Sequence, residues 1–263
     1  MASTSITRRL IVTAILLVGL VDVSHRLAVK VAAYTAPAPA AQARAVIQGR
    51  RLAIDRLQQA SALMESDPNH AQEILMRVVK HARERRIRNR AAARLGLLAL
   101  SDWPDDHRRA FLQSIFVPSL ESARTHGVPP SVTLAQAALE SGWGRSALAR
   151  KHNNLFGIKG AKARDDVEFP TLEFGPKGVH IVRASFRRFD TAGAAIAHHG
   201  ALLATDPRYR EARQHRGDWR AYLTAIAPVY ASDPNYVRSA SQIIQTYRLD
   251  RWDALVGAFT PKS

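Results

Sequence analysis

Ser131-Val132-Thr133-Leu134-Ala135-Gln136-Ala137-Ala138-Leu139-Glu140-Ser141-Gly142-Trp143-Gly144 is the stretch around which the chain is organised. It predicts a short helix that begins after Pro129-Pro130 and stops at the first of two glycines. Proline suits a first helical turn, where its missing N–H is not needed, and glycine suits the exit. Leu134, Ala135, Ala138 and Leu139 make an apolar stripe of nearly helical spacing, so most of this helix is expected to be buried. Glu140 falls near its C-terminal end among alanines and leucine. The negative end of the helix dipole repels a carboxylate there, and apolar neighbours withhold the water that would solvate it. Both effects raise the pKa, as a general acid working near neutral pH requires. A partly exposed glutamate ending an ordinary core helix is the plainer alternative.

Composition bounds what the chain can do. Its 263 residues suffice for one fair-sized core plus an appendage. There is no cysteine, which excludes disulfides, thiolate metal sites and thiol nucleophiles. The formal charge of +16 attracts polyanions such as anionic lipid, nucleic acid or an acidic wall polymer. Residues 1–106 hold 16 basic and 9 acidic side chains and residues 107–263 hold 22 and 13, so no single tail carries the excess.

At the amino end, Thr7-Arg8-Arg9 precedes an apolar run from Leu10 to Val21, and a weaker segment continues to Ala33. The run matches the charged and apolar regions of a secretory signal, with Ala40-Ala41-Gln42-Ala43 as a distant small-residue cleavage site. Extended to Ala33, it reads instead as an uncleaved signal anchor, the reading favoured here. Residues 34–41 form an Ala/Pro linker, and 42–101 have the pattern of a helical hairpin. Ile47, Ile54, Leu57 and Met64 stripe its first helix, and Ile74, Leu75 and Val78 open a second that continues toward Leu98. The run Arg83-Glu84-Arg85-Arg86-Ile87-Arg88-Asn89-Arg90 reads as a solvated face, or as a contact with headgroups or an acidic glycan.

Ser101-Asp102-Trp103-Pro104-Asp105-Asp106 is an acidic turn, the expected domain boundary. A helix follows from His107 toward Ala123, interrupted or kinked near Pro118, and Gly127 ends it. Past the glutamate helix, Asn153-Asn154-Leu155-Phe156-Gly157 fits a tight loop held by side chains, and its amides would equally hold sugar hydroxyls or acetamides. Val167–Phe174 and Val179–Phe189, joined by Gly175-Pro176-Lys177-Gly178, predict a β-hairpin. Period-two alternation places Val167, Phe169, Thr171 and Glu173 on one face, with Glu173 beside the turn, pointing into a cleft or simply to solvent. Asp190 is the expected N-cap of a helix over 191–203. Further helices are expected around Trp219–Ile226 and after Asp233-Pro234, with Tyr230 just before that turn.

Four separated pieces, in order, resemble the glucosaminidase family of peptidoglycan hydrolases, glycoside hydrolase family 73, which includes the hydrolase domain of flagellar rod-assembly proteins. They are Pro130–Gly144, Asn153–Gly160, the hairpin with Thr171-Leu172-Glu173-Phe174, and Tyr230-Ala231-Ser232-Asp233-Pro234-Asn235-Tyr236. The resemblance covers roughly 107–250 and does not extend over 1–100. It implies a mainly α (α+β) fold, a lysozyme-like helical lobe with a small β-hairpin lobe over 102–255, followed by a tail at 256–263.

By that resemblance Glu140 matches the family's general acid, Glu173 its second carboxylate and Tyr230 a tyrosine that positions substrate or stabilises charge. Trp143, Asn154 and Phe156 match positions that line the cleft or support it, and with Tyr236 they are the expected substrate-binding residues. One departure is Ala-Pro-Val ahead of Tyr230, where a glycine often precedes the tyrosine. The implied activity is cleavage of β-1,4 bonds in peptidoglycan glycan strands, as an endo-β-N-acetylglucosaminidase. A muramidase or lytic transglycosylase on the same polymer, and a wall-binding module without activity, are the alternatives. Glycoside hydrolysis needs an acid with raised pKa and a carboxylate or substitute across the bond, and the substrate's own acetamide would also serve as nucleophile. No cofactor or metal is expected, and nucleic acid is not an expected partner. The expected location is the bacterial cell envelope, anchored in the inner membrane facing the periplasm, or outside if the signal is cleaved.

Overall fold

The computed structural model describes residues 39–101, 105–160, 166–175 and 178–256; at 39–40, 171–175 and 178–182 the description is of the backbone. The expected signal or anchor at 1–33 and the tail at 257–263 lie outside the described residues. Among the described residues no helix is long and apolar enough to cross a membrane. The chain divides into two units, residues 1–52 and 53–263. The described part of the first is the beginning of α1 (Pro39–Leu63), whose side chains from Ala41 to Leu52 are exposed. The stretch expected as a linker to residue 41 is thus helical from Pro39, a residue suited to a first helical turn.

Within the second unit the expected hairpin has an extra break. Asp67 accepts from the His70 backbone N–H and starts α2 (Pro68–His81), which ends where Ala82 turns extended at ψ 130°. A new helix, α3 (Arg85–Ala99), then begins. Arg88 folds its guanidinium back onto the carbonyls of Ala82 and Arg83, satisfying oxygens that the end of α2 leaves open. The basic run is therefore split between a helix-helix joint and the start of α3, rather than forming one continuous face.

Asp105 caps α4 (Asp106–His126), which continues through Pro118 without the expected interruption and ends at Gly127 in the left-handed region, φ 75°. Next comes α5 (Pro130–Ser141), the glutamate helix, closed by Gly142 at φ 55°. Ser146 caps the short α6 (Ala147–His152). The two strands among the described residues, β1 (Val167–Gly175) and β2 (Gly178–Phe186), pair antiparallel from Val167↔Phe186 to Gly175↔Gly178. The base of this hairpin is tied to the asparagine loop by Gly160 N–H donating to Ser185 O (2.8 Å) and Arg187 N–H to Ile158 O (2.9 Å). Helix α7 (Ala192–Thr205) is capped by Thr191 instead of Asp190, because the Thr191 hydroxyl accepts from the Ala194 N–H at 3.0 Å. Then follow α8 (Trp219–Tyr230), α9 (Tyr236–Thr246) and a 3-10 segment, Leu249–Leu255.

One core runs through the second unit. Leu57, Leu75, Val79 and Leu95 belong to the same buried cluster as Leu112, Phe116, Leu134 and Leu223. Burial of each such side chain contributes roughly 1.5–3 kcal/mol. The acidic turn read as a boundary therefore has the same core on both sides. Gly96 makes this possible locally: a β-carbon there would stand 3.1 Å from the Phe116 ring, so glycine lets α3 press against α4.

Helix α5 sits at the centre. Every residue from Pro130 to Ala138 is buried, polar ones included, so it is enclosed all round instead of on one stripe. Pro129 offers no side chain to cap it. Asp253 of the 3-10 segment does so from far along the chain, accepting from Ser131 N–H (2.9 Å) and Ser131 Oγ–H (2.7 Å).

Burial raises the Asp253 carboxyl to about 6, the bonds from Ser131 offsetting part of the effect. Because the folded state holds this proton more tightly than the unfolded one, Asp253 makes stability fall as pH rises from about 4 to about 6. Buried His199, pushed down to about 3, has the opposite sign and makes stability rise with pH up to about 6.5. Removing the Asp253 carboxyl alone unmasks the rising slope. Thermal melts at pH 4, 5, 6 and 7 are expected to show the stability of wild type minus Asp253→Asn falling by about 1.4 kcal/mol per pH unit up to about 6. Parallel curves would contradict this.

Candidate active site

A cleft of about 830 Å³ opens where α5 ends, and its walls come from six places in the sequence. These are Glu140 on α5, Phe156–Lys159 after the asparagine loop, Phe186 on β2, His198 and His199 on α7, Arg208 and Tyr209, and the stretch from Tyr230 to Tyr236. Glu140, Phe156, Tyr230 and Tyr236, all expected site residues, meet here.

Glu140 is the penultimate residue of α5, at the end where the helix dipole disfavours negative charge. The residue is exposed as a whole, on the open side of the cleft, but the protein packed around its carboxyl governs its ionisation. Burial raises its pKa, and a hydrogen bond from the Tyr236 hydroxyl brings it part of the way back.

Tyr230, the last residue of α8, has its phenol held well above the ordinary value by burial, with Tyr236 and Glu140 adding to the effect. It remains a neutral hydroxyl. Its ring lies 5.7 Å from that of Tyr236 and edge-on to His199 at 5.8 Å. His199 in turn stacks flat on Phe156, with centroids 4.0 Å apart. Depressed by burial, His199 stays neutral, and neither ring nitrogen has a hydrogen-bond partner among the described residues. The floor of the cleft is thus aromatic and uncharged, which suits the apolar face of a sugar ring and leaves charge development to the rim.

Two expected site residues do not line the cleft. Trp143 takes φ 60° just past the helix and packs on Phe111 (6.2 Å) and Tyr247 (5.0 Å), with the Arg108 guanidinium 4.9 Å above its ring. Asn154 is buried: its amide donates to the carbonyls of Ile158 (2.9 Å) and Arg187 (2.8 Å) and accepts from Ile158 N–H (2.9 Å). Asn153, at φ 54°, closes α6 and donates to the carbonyls of Phe189 and Asp190. Of the two readings left open for these asparagines, the geometry is that of a brace, one that presents Phe156 to the cleft. Glu173 lies on β1 opposite His180, next but one to the turn glycine; its side chain lies outside the described residues.

Neither Gln136 nor His199 is among the residues expected at the site. A glutamine inside an apolar helix signals a buried hydrogen bond, and a histidine in Ala195–Leu203 signals a buried ring, but neither names its neighbour.

With the geometry in place, similarity to known proteins is informative. Residues 119–249 match the Glucosaminidase family, described as mannosyl-glycoprotein endo-beta-N-acetylglucosaminidase. The chain is 33% identical over 153 residues to the exo-glucosaminidase LytG of Bacillus subtilis, covering 56% of this chain and 54% of LytG. It is 34% identical over 146 residues to the peptidoglycan hydrolase FlgJ of Vibrio parahaemolyticus, covering 53% of this chain and 47% of FlgJ. It therefore spans about half the length of these curated relatives. Among solved structures it resembles the catalytic domain of the autolysin Auto of Listeria monocytogenes, with a TM-score of 0.53 and 27% identity over 59% of this chain and 93% of that domain.

Proposed function

Residues 119–249 belong to the glucosaminidase family of glycoside hydrolases, and from that premise we propose that this chain hydrolyses β-1,4 bonds in the glycan strands of peptidoglycan, as an endo-β-N-acetylglucosaminidase on a lysozyme-like scaffold. One observation carries the proposal. A carboxyl whose pKa burial raises stands at the mouth of an aromatic cleft of about 830 Å³.

The chemistry follows from the positions. Glu140 gives its proton to the glycosidic oxygen as the bond to the anomeric carbon breaks, so the leaving sugar departs as an alcohol. Positive charge then develops on the ring. Tyr230, a neutral hydroxyl in the wall, turns its oxygen to that charge or its proton to the acetamide carbonyl. Water supplies the new hydroxyl at the anomeric carbon, and its proton leaves to a base. Glu173 is that base, or it orients the substrate's acetamide if the acetamide attacks first. The N-terminal segment delivers the enzyme across a membrane to the cell envelope, either anchored or released, and its net positive charge holds it on an anionic wall.

Digestion of purified peptidoglycan in heavy-oxygen water tests the proposal. Mass spectrometry is expected to find products of mixed length ending in reducing N-acetylglucosamine, each carrying one heavy oxygen. Release of terminal units only would make it an exo enzyme, as LytG is named. Anhydro products without label would make it a transglycosylase, and no products would refute hydrolysis.

A further inference from the structure

Helix α5 carries a second polar residue on the face of Glu140. Gln136 lies four residues earlier, one turn away, so the two side chains emerge on the same side. It is fully buried, and its Nε2 donates to the Tyr236 hydroxyl at 2.8 Å. Its Oε1 has no partner among the described residues. Leaving a buried amide oxygen unpaired costs roughly 1–3 kcal/mol. A hydrophobic residue would fill the space without that cost, so the amide's one useful act here is its donation to Tyr236.

Tyr236 approaches from another element. It opens α9, fixed by its N–H donating to the Asp233 carbonyl (3.1 Å), and it is only 4% exposed. Its hydroxyl accepts from Gln136 and shares the cleft wall with the Glu140 carboxyl, whose pKa it lowers. A phenol has a single proton. Since the Gln136 amide donates to it, that proton is free to go to Glu140, and an ionised carboxylate can only accept.

We infer that Gln136 and Tyr236 form a directional hydrogen-bond relay that positions Glu140 and stabilises its carboxylate as it surrenders its proton to the substrate. The inference rests on Glu140 being the acid of the proposed reaction. While Glu140 is protonated, Tyr236 occupies one carboxyl oxygen, which leaves the proton on the other, toward the cleft. Once the proton has gone, the same hydroxyl stabilises the charge left behind, a hydrogen bond that strengthens in the transition state. Tyr236 and Gln136 are thus positioning residues, acting through Glu140 and not through contact with the sugar.

The relay is tested on the full chain by two readouts. Infrared difference titration follows the Glu140 carboxyl, assigned with Glu140→Gln; Tyr236→Phe is expected to raise its pKa by about one unit, because a bond to the charged form is lost. On peptidoglycan the same variant is expected to lower kcat by about tenfold or more with KM nearly unchanged, and to shift the alkaline limb of the rate profile upward. Gln136→Met keeps the volume and drops the donor, and is expected to shift both readouts the same way by less. It serves also if Tyr236→Phe fails to fold. An unchanged Glu140 pKa in the folded variants overturns the relay, and so does a raised KM with kcat intact, which would make Tyr236 a sugar-binding group. If wild type yields no products, the proposed hydrolysis fails while the titration still decides the relay.

Discussion

Replacing Glu140 with Gln is expected to reduce glycan cleavage by about three orders of magnitude, within the range of roughly 10²–10⁴ that a positioned general acid contributes. The amide keeps the shape of the side chain and still accepts from Tyr236, but it has no proton to give a leaving oxygen. Stability is expected to hold or rise slightly. Burial raises the pKa of this carboxyl, so its ionised form is a cost to the folded state at pH 7 that the neutral amide removes. Initial rates on purified sacculi alongside thermal melts measure both effects. A folded variant with near wild-type rates would show that the proton comes from elsewhere. In wild type, kcat/KM is expected to decline as pH rises through the pKa of Glu140, since only the protonated form works.

The second large effect is on folding. Trp252 is fully buried, edge-on to Phe116 at 5.2 Å and covered by the Arg251 guanidinium 4.1 Å from its ring. Truncation to Ala is expected to cost about 3–5 kcal/mol, the usual loss for a large aromatic in a core. Urea unfolding gives the value directly, and a loss below about 1 kcal/mol would mean that the segment is peripheral. The prediction matters because residue 252 lies past the end of the family match at 249, and Phe116 lies before its start at 119. Arg251 donates to the Ala99 carbonyl (2.7 Å), and Arg124 to the carbonyls of Val79 (2.7 Å) and Leu255 (3.1 Å). The parts outside the match thus hold each other and the acid helix together.

What could be read from the sequence was local. The bounds of α5 are written in Pro130 and Gly142, and those of the β-hairpin in alternation around two glycines. Glu140, Phe156 and Tyr230, which line one cleft, are legible as candidates because each sits in a short motif near an element's end. What escaped depended on partners far along the chain. The break between α2 and α3 is held by Arg88 reaching backward, and no propensity at Ala82 announces it. Apolar stripes in residues 57–95 show that a face is buried but not against what, so an appendage and a shared core look alike. The resemblance leaves Trp143 to line the cleft or support it, and its left-handed backbone turns the ring toward Tyr247. The bonds from Gln136 to Tyr236 and from Ser131 to Asp253 span 100 and 122 residues, beyond any periodicity.

That last span has a consequence for the order in which the molecule matures. A chain emerging from the ribosome or a translocation channel amino end first exposes α5 long before residue 253 follows, and domains are assembled in that direction during synthesis. Until the 3-10 segment arrives, the first turn of α5 lacks its cap, α3 lacks the Arg251 guanidinium, and α4 lacks the Trp252 indole and the Leu255 carbonyl. Helix α5 is therefore the early-made part that is completed last.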